Sequence, residues 1–159
     1  MFRALALCAA VAVPAAAYAA MPTTPATFVM KAGAGDQYEI QSSQLVMNSA
    51  NPKIKDYANM MVRDHTKSTA DVKAAAMKAG LHPAAPMLNP MQQTMIANLK
   101  KVSGTARDTM YLSQQKASHN QALALHEDYS KNGTSAPLKM AATKIVPVVK
   151  SHIQMLASM

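Results

Sequence analysis

Four residues stand out by type and spacing: Glu39, His65, His119 and His152. Each falls on the apolar stripe of a different amphipathic segment, where a polar side chain needs a reason to be buried. Three neutral imidazoles and one carboxylate suit Zn(II), Fe(II), Cu(II) or Mn(II). They also suit a closed polar network in which the histidines donate and accept among themselves, with Glu39 as an ion-pair partner. Both readings stand at the level of sequence. Di-iron carboxylate chemistry is poorly supported. It uses Glu-x-x-His pairs, whereas the residues three before His65, His119 and His152 are Val62, Lys116 and Val149.

Neighbouring residues carry weaker signals. Asp64 lies about 100° around the helix from His65 and reads as a surface or interhelix partner. Asp36, one turn before Glu39, could share a cation with it but reads more simply as a solvated carboxylate. Met61 shares a face with His65, and thioether is a soft ligand for Cu(I), although flexible core filler is the ordinary use of methionine. His126 either extends the polar layer or reaches solvent, and His82 falls in a connection. There is no glycine-rich phosphate loop, and nothing marks a serine as a nucleophile. A binding role therefore ranks above an enzymatic one.

Four long helices must position these residues. Thr24-Pro25 and Asn51-Pro52 each pair a capping side chain with proline at the first helical position. They predict helices over 25–49 and 52–79, the second stopped by Gly80. Their stripes run Phe28, Ala32, Gly35, Glu39, Ser42, Val46 and Ile54, Ala58, Met61, His65, Ser68, Val72, Ala75, Ala79. Gly35, on the inner stripe one turn before Glu39, leaves room for another group to approach. A short helix is expected over 91–102. The next long helix runs from a capping-box-like Thr105-Ala106-Arg107-Asp108 to Lys131, with Leu112, Gln115, His119, Ala122, His126 and Tyr129 inward. The last starts near Pro137, with Leu138, Ala141, Ile145, Val148, His152, Met155 and Met159 inward and Pro147 in its interior. No strand-like alternation is present.

Connection lengths suggest topology. Two short links make two antiparallel hairpins, and the connection from Gly80 to Gly104 is long enough to run the length of a bundle. This is an all-α, ferritin-like up-down four-helix bundle with a long crossover between the second and third long helices. At about 1.5 Å per residue, the levels of Glu39, His65, His119 and His152 agree within roughly 6 Å.

The first residues read as a secretory signal: Arg3, an apolar run over 4–13, then Ala17-Tyr18-Ala19 before a cleavage point. Residues 1–19 are thus expected to be removed, leaving a bundle domain over 20–159. The only cysteine, Cys8, leaves with the signal, which excludes disulfides and thiolate metal sites. The formal charge falls from +8 to +7 with the loss of Arg3. Export argues against nucleic acid as the anionic partner. It leaves anionic envelope components as a candidate for a non-enzymatic interaction module. The expected location is periplasmic or secreted, with no membrane span after cleavage.

Three segments resemble an exported bacterial family known as domain of unknown function 4142: FVMKAGAGDQYEIQSSQLVMNSANPKIKDYANMMVRDHTKS, YLSQQKASHNQALALHEDYSKNG and LKMAATKIVPVVKSHIQML. Its most distinctive features here are Met61-Val62-Arg63-Asp64-His65, His119 in its helix, and Pro147 followed by His152. The resemblance implies a ferritin-like bundle, export and no agreed activity. It implies a shared site at Glu39, His65, His119 and His152, consistent with a metal-binding or metal-dependent stress protein. An outer-membrane label sometimes given to the family finds no support in this sequence. The family's usual aromatic-aspartate pair is Arg107-Asp108 here.

Overall fold

The computed structural model describes residues 23–159; the expected signal over 1–19, with its cleavage point and Cys8, lies outside the described residues. Five helices follow: α1 Pro25–Gln44, α2 Pro52–Lys78, α3 Pro90–Lys101, α4 Gly104–Asn132 and α5 Ala136–Ala157. No strand occurs among the described residues.

Local chemistry sets most of the boundaries. Thr24 Oγ1 accepts from the Thr27 N–H at 3.2 Å and Asn51 Oδ1 from Lys53 N–H at 3.0 Å, each followed by proline at the first helical position. Gly80 takes φ +76°, and the Leu81 N–H reaches back to the Ala76 carbonyl at 2.9 Å, a left-handed exit that favours glycine. α3 begins with a reciprocal capping box between Asn89 and Gln92.

Two expectations fail locally. α1 stops at Gln44 and turns occupy the residues to Asn48, so the helix is shorter than the predicted 25–49. The Thr105–Asp108 capping box does not form. α4 begins at Gly104, and Asp108 instead accepts from Ser49 Oγ at 2.7 Å. Arg107, in place of an aromatic, donates to the carbonyls of Leu99, Val102 and Leu45. It thereby ties the ends of α3 and α1 to the start of α4.

The four long helices close a ring: α1 packs on α2 and α4, and α5 packs on α2 and α4. Their core divides into two apolar clusters. One contains Phe28, Val72, Tyr129, Leu138 and Val149; the other contains Val46, Ile54, Met61, Tyr111 and Leu156. α1 and α5 pass from the first cluster to the second, while α2 and α4 pass from the second to the first. Every neighbour in the ring is therefore antiparallel, and the connection over 79–103, with α3 in it, returns the chain to the end where α2 began.

Along α5 the buried positions are Leu138, Ala141, Ala142, Ile145, Val149, His152 and Leu156. Val148, expected inward, is 41% exposed, because Val149, eleven residues after Leu138 and seven before Leu156, falls close to whole turns from both and takes the inward position. Pro147, whose missing N–H would otherwise leave an inner carbonyl short of a donor, faces solvent.

Candidate metal centre

Between the two apolar clusters lies a polar layer. Asp36, Glu39, Ser42, Ser43, His65, Ser68, Gln115, His119, His126 and His152 are all buried. The helix stripes carry these groups inward, since each replaces an apolar residue at a position that the 3.6-residue repeat must bury.

The structure brings together His65, His119 and His152. One ring nitrogen from each lies within 4.8 Å of the other two, and the ring centroids are 5.4 to 5.6 Å apart. Their outward nitrogens are each spoken for by an oxygen. His65 Nδ1 is 2.8 Å from Asp36 Oδ1, His119 Nδ1 is 3.0 Å from the Gln115 carbonyl, and His152 Nε2 is 3.1 Å from Asp64 Oδ2. A carbonyl or carboxylate oxygen can only accept, so in the neutral rings those nitrogens carry the protons. The remaining nitrogens, Nε2 of His65, Nε2 of His119 and Nδ1 of His152, are left with lone pairs.

The tautomers have a direct consequence. His119 Nε2 and His152 Nδ1 face each other at 3.3 Å, acceptor against acceptor. His65 Nε2 is buried with no partner. Burial pushes the His119 imidazole down to about 3 and the His152 imidazole down to about 4, in each case reinforced by the neighbouring His65. Neither ring therefore supplies a proton for the contact at neutral pH. His65 is shifted the other way: burial opposes its charged form, but the hydrogen bond and negative charge of Asp36 outweigh it. A cation between the three lone pairs would relieve the contact and partner the orphaned Nε2.

Dimensions agree with that. A tetrahedral ion with M–N of about 2.0–2.1 Å sets neighbouring nitrogens roughly 3.3–3.4 Å apart, which is the His119–His152 separation of 3.3 Å. The looser position is His65. Outward N–H groups held by carboxylate or carbonyl oxygens are also the usual support of metal-ligating histidines.

Glu39 is buried in the same layer but is not brought into the three-nitrogen group. Its Oε1 accepts from Ser118 Oγ at 2.5 Å and sits 3.6 Å from His119 Nδ1, the nitrogen turned away from the other rings. Its Oε2 is buried without a partner. Burial raises the Glu39 carboxyl above its ordinary range against the pull of His65.

One neighbour, Asp36, differs from its sequence reading, and the others follow one of theirs. Asp36 is not solvated; it is buried against His65 and also accepts from Thr69 Oγ1 at 3.2 Å. Asp64 is the interhelix partner that its direction suggested, reaching His152 from α2 while Arg63 Nε holds its other oxygen at 2.8 Å. Those hydrogen bonds keep its carboxyl low despite partial burial. His126 is buried, edge-on to Phe28, with Nδ1 unpartnered. Met61 is core, in the second apolar cluster. His82 is exposed. Sequence reasoning missed Asp36, Gln115 and Ser118 as supports. For Asp36 and Gln115 the available signal was their three- and four-residue spacing to Glu39 and His119 on the same helix faces; Ser118, adjacent to His119 in the chain and bonded to Glu39 on another helix, carried none.

Among the described residues no helix is long and apolar enough to cross a membrane. The chain is similar in fold to "CopM in the Cu(II)-bound form", with a TM-score of 0.71 and 14% identity over 87% of this chain and 96% of that one. No curated protein matches the sequence. The profile of the family described as domain of unknown function (DUF4142) matches residues 10–159. With nearly the whole chain matched, this protein belongs to the DUF4142 family.

Proposed function

We propose that the chain is an exported transition-metal-binding protein whose ion is held by His65, His119 and His152, with copper as the favoured metal. The observation that carries this reading is the 3.3 Å contact between two imidazole lone pairs beside the unpartnered Nε2 of His65. Three imidazoles suit Cu, Zn, Fe or Ni, and among divalent ions at one nitrogen site copper binds tightest. The Cu(II) of the structural neighbour adds to that preference. The ion would supply positive charge and a Lewis-acid centre. The chain's own residues orient the three rings, through Asp36, the Gln115 carbonyl and Asp64. Glu39 joins the site as a buried carboxyl able to offset its charge, steadied by Ser118.

The test is elemental analysis of the untagged mature protein beside the His65→Ala/His152→Ala double variant. Near-stoichiometric metal that is absent from the folded double variant is the expected result. Two metal-free proteins that also take up none on titration would leave the layer as a structural network.

A further inference from the structure

The methionines near the second apolar cluster are of two kinds. Met61 is wholly buried in the cluster, 0% exposed. Met60, Met155 and Met159 pack against its rim and stay half-buried. Met60 is on α2 and the other two are on α5, and these helices pack together. Core filling accounts for Met61. It accounts less well for side chains that stop part-way out, where leucine would fill the same seam without presenting a soft donor to water.

The contact between Asp64 and His152, at 3.1 Å, fixes the register of this seam. Met60 lies four residues before Asp64 and Met155 three residues after His152, each on the same helix face as that neighbour. Because α2 and α5 are antiparallel, both steps run the same way, toward the second apolar cluster. Met60 and Met155 therefore stand at one level, a single turn from the Asp64–His152 contact. The flank is settled too. Lys150 reaches Glu127 of α4 at 2.7 Å, and Met155 is about 140° around α5 from Lys150, on the side turned to α2. Met159 continues that face one turn further. Asp64, with 24% of its side chain exposed, sets a carboxylate beside the same seam, whereas the Asp36 that supports His65 is buried.

We propose that Met60 and Met155 form a second ion site, on the seam between α2 and α5, that takes Cu(I). Thioether sulfur is a soft donor that selects Cu(I), whereas imidazole suits divalent ions. Met159 is the next donor along the face, and Asp64 offsets the charge of the ion. No described residue offers a softer atom, since no cysteine lies in 23–159. The site goes beyond the three-nitrogen reading and does not depend on it, because none of its donors belongs to His65, His119 or His152.

The probe is Ag(I), a soft monovalent ion without redox chemistry of its own here. It is titrated into mature protein carrying carbon-13 in its methionine methyl groups and followed by proton–carbon correlation spectra. The titration is run in the folded His65→Ala/His152→Ala variant, which lacks the imidazole centre, and in wild-type protein in the presence of Zn(II). Expected is that the Met60 and Met155 methyl signals move first, ahead of the exposed Met77 and Met140. Met60→Leu/Met155→Leu nearly conserves side-chain volume. It should weaken Ag(I) binding by at least tenfold, about 1.4 kcal/mol, with metal uptake at the imidazoles unchanged. Met60 and Met155 signals that move no earlier than those of Met77 and Met140, or undiminished Ag(I) affinity in the leucine pair, overturn the proposal and leave the three-nitrogen reading as it stood. Met60 and Met155 moving first in a protein whose imidazoles take up no metal supports this site while overturning the other reading.

Discussion

Asp36→Asn is the sharpest probe of the centre, because it removes charge and little else. The asparagine oxygen can still accept from His65 Nδ1, where the carboxylate stands at 2.8 Å. Its negative charge, which raises the His65 imidazole, is gone. Loss of such an outer partner typically weakens metal binding by about 10–100-fold. At a free metal concentration of about 1,000 times the wild-type Kd, binding stabilises the fold by about 4.1 kcal/mol. In the variant, at the same concentration, this falls to roughly 2.7 kcal/mol for a tenfold loss and about 1.4 kcal/mol for a hundredfold loss. Thermal unfolding with and without metal reads that difference directly. The pH profile adds a second signature. Metal must displace any proton on His65 Nε2, so affinity declines as pH falls below the raised His65 value. Asp36→Asn lowers that value and moves the decline to more acid pH. An unchanged metal-induced stabilisation, together with an unmoved acid limb, would refute the assignment of Asp36 as the support of a metal-ligating His65.

Other expectations follow from the same geometry. His119, His152 and His126 are pushed by burial to about 3, 4 and 4, below the ordinary value of about 6.5 that they regain on unfolding. The unfolded chain then binds more protons, so this stability is full above pH of about 6.5 and is lost as pH falls toward the folded values, at up to about 1.4 kcal/mol per pH unit for each ring. Metal-free protein should accordingly unfold in mild acid, which circular dichroism across a pH series would show; the raised His65 contributes in the opposite sense, losing its share as pH rises through its folded value. Gly35→Ala should stabilise by roughly 0.5–1 kcal/mol in urea titration, while Gly133→Ala should destabilise by about 1–3 kcal/mol, since its Cβ would lie 2.5 Å from the Tyr129 carbonyl oxygen and 2.6 Å from its ring. Arg107→Ala should cost about 1.5–3 kcal/mol by leaving the carbonyls of Leu99, Val102 and Leu45 without their charged donor; no loss in chemical denaturation would mean that water replaces all three bonds.

The helices and the inward placement of the polar residues were legible in the sequence because both depend on local rules. Thr24-Pro25, Asn51-Pro52 and Gly80 act within a few residues of themselves, and the 3.6-residue repeat carries His65, His119 and His152 to buried faces whatever packs against them. The same repeat set one layer for Glu39 and the histidines, because rise per residue is constant. Ring rotation is not a local property. Whether an imidazole offers Nδ1 or Nε2 depends on which oxygen another helix brings to its far side: Asp36 from α1 for His65, Asp64 from α2 for His152. Those contacts turned three inward histidines into three converging lone pairs, and turned Glu39 toward Ser118 and the back of His119. Boundaries set by long-range contacts escaped the sequence for the same reason. Asp108 bonds Ser49 across helices instead of forming its own capping box. Sequence by itself determined that Glu39 and the three histidines turn inward at one level; only the packing of helices distant in the chain decided that Asp36 is buried beside them and which atoms face one another, because that depends on partners whose separation along the chain carries no local signal.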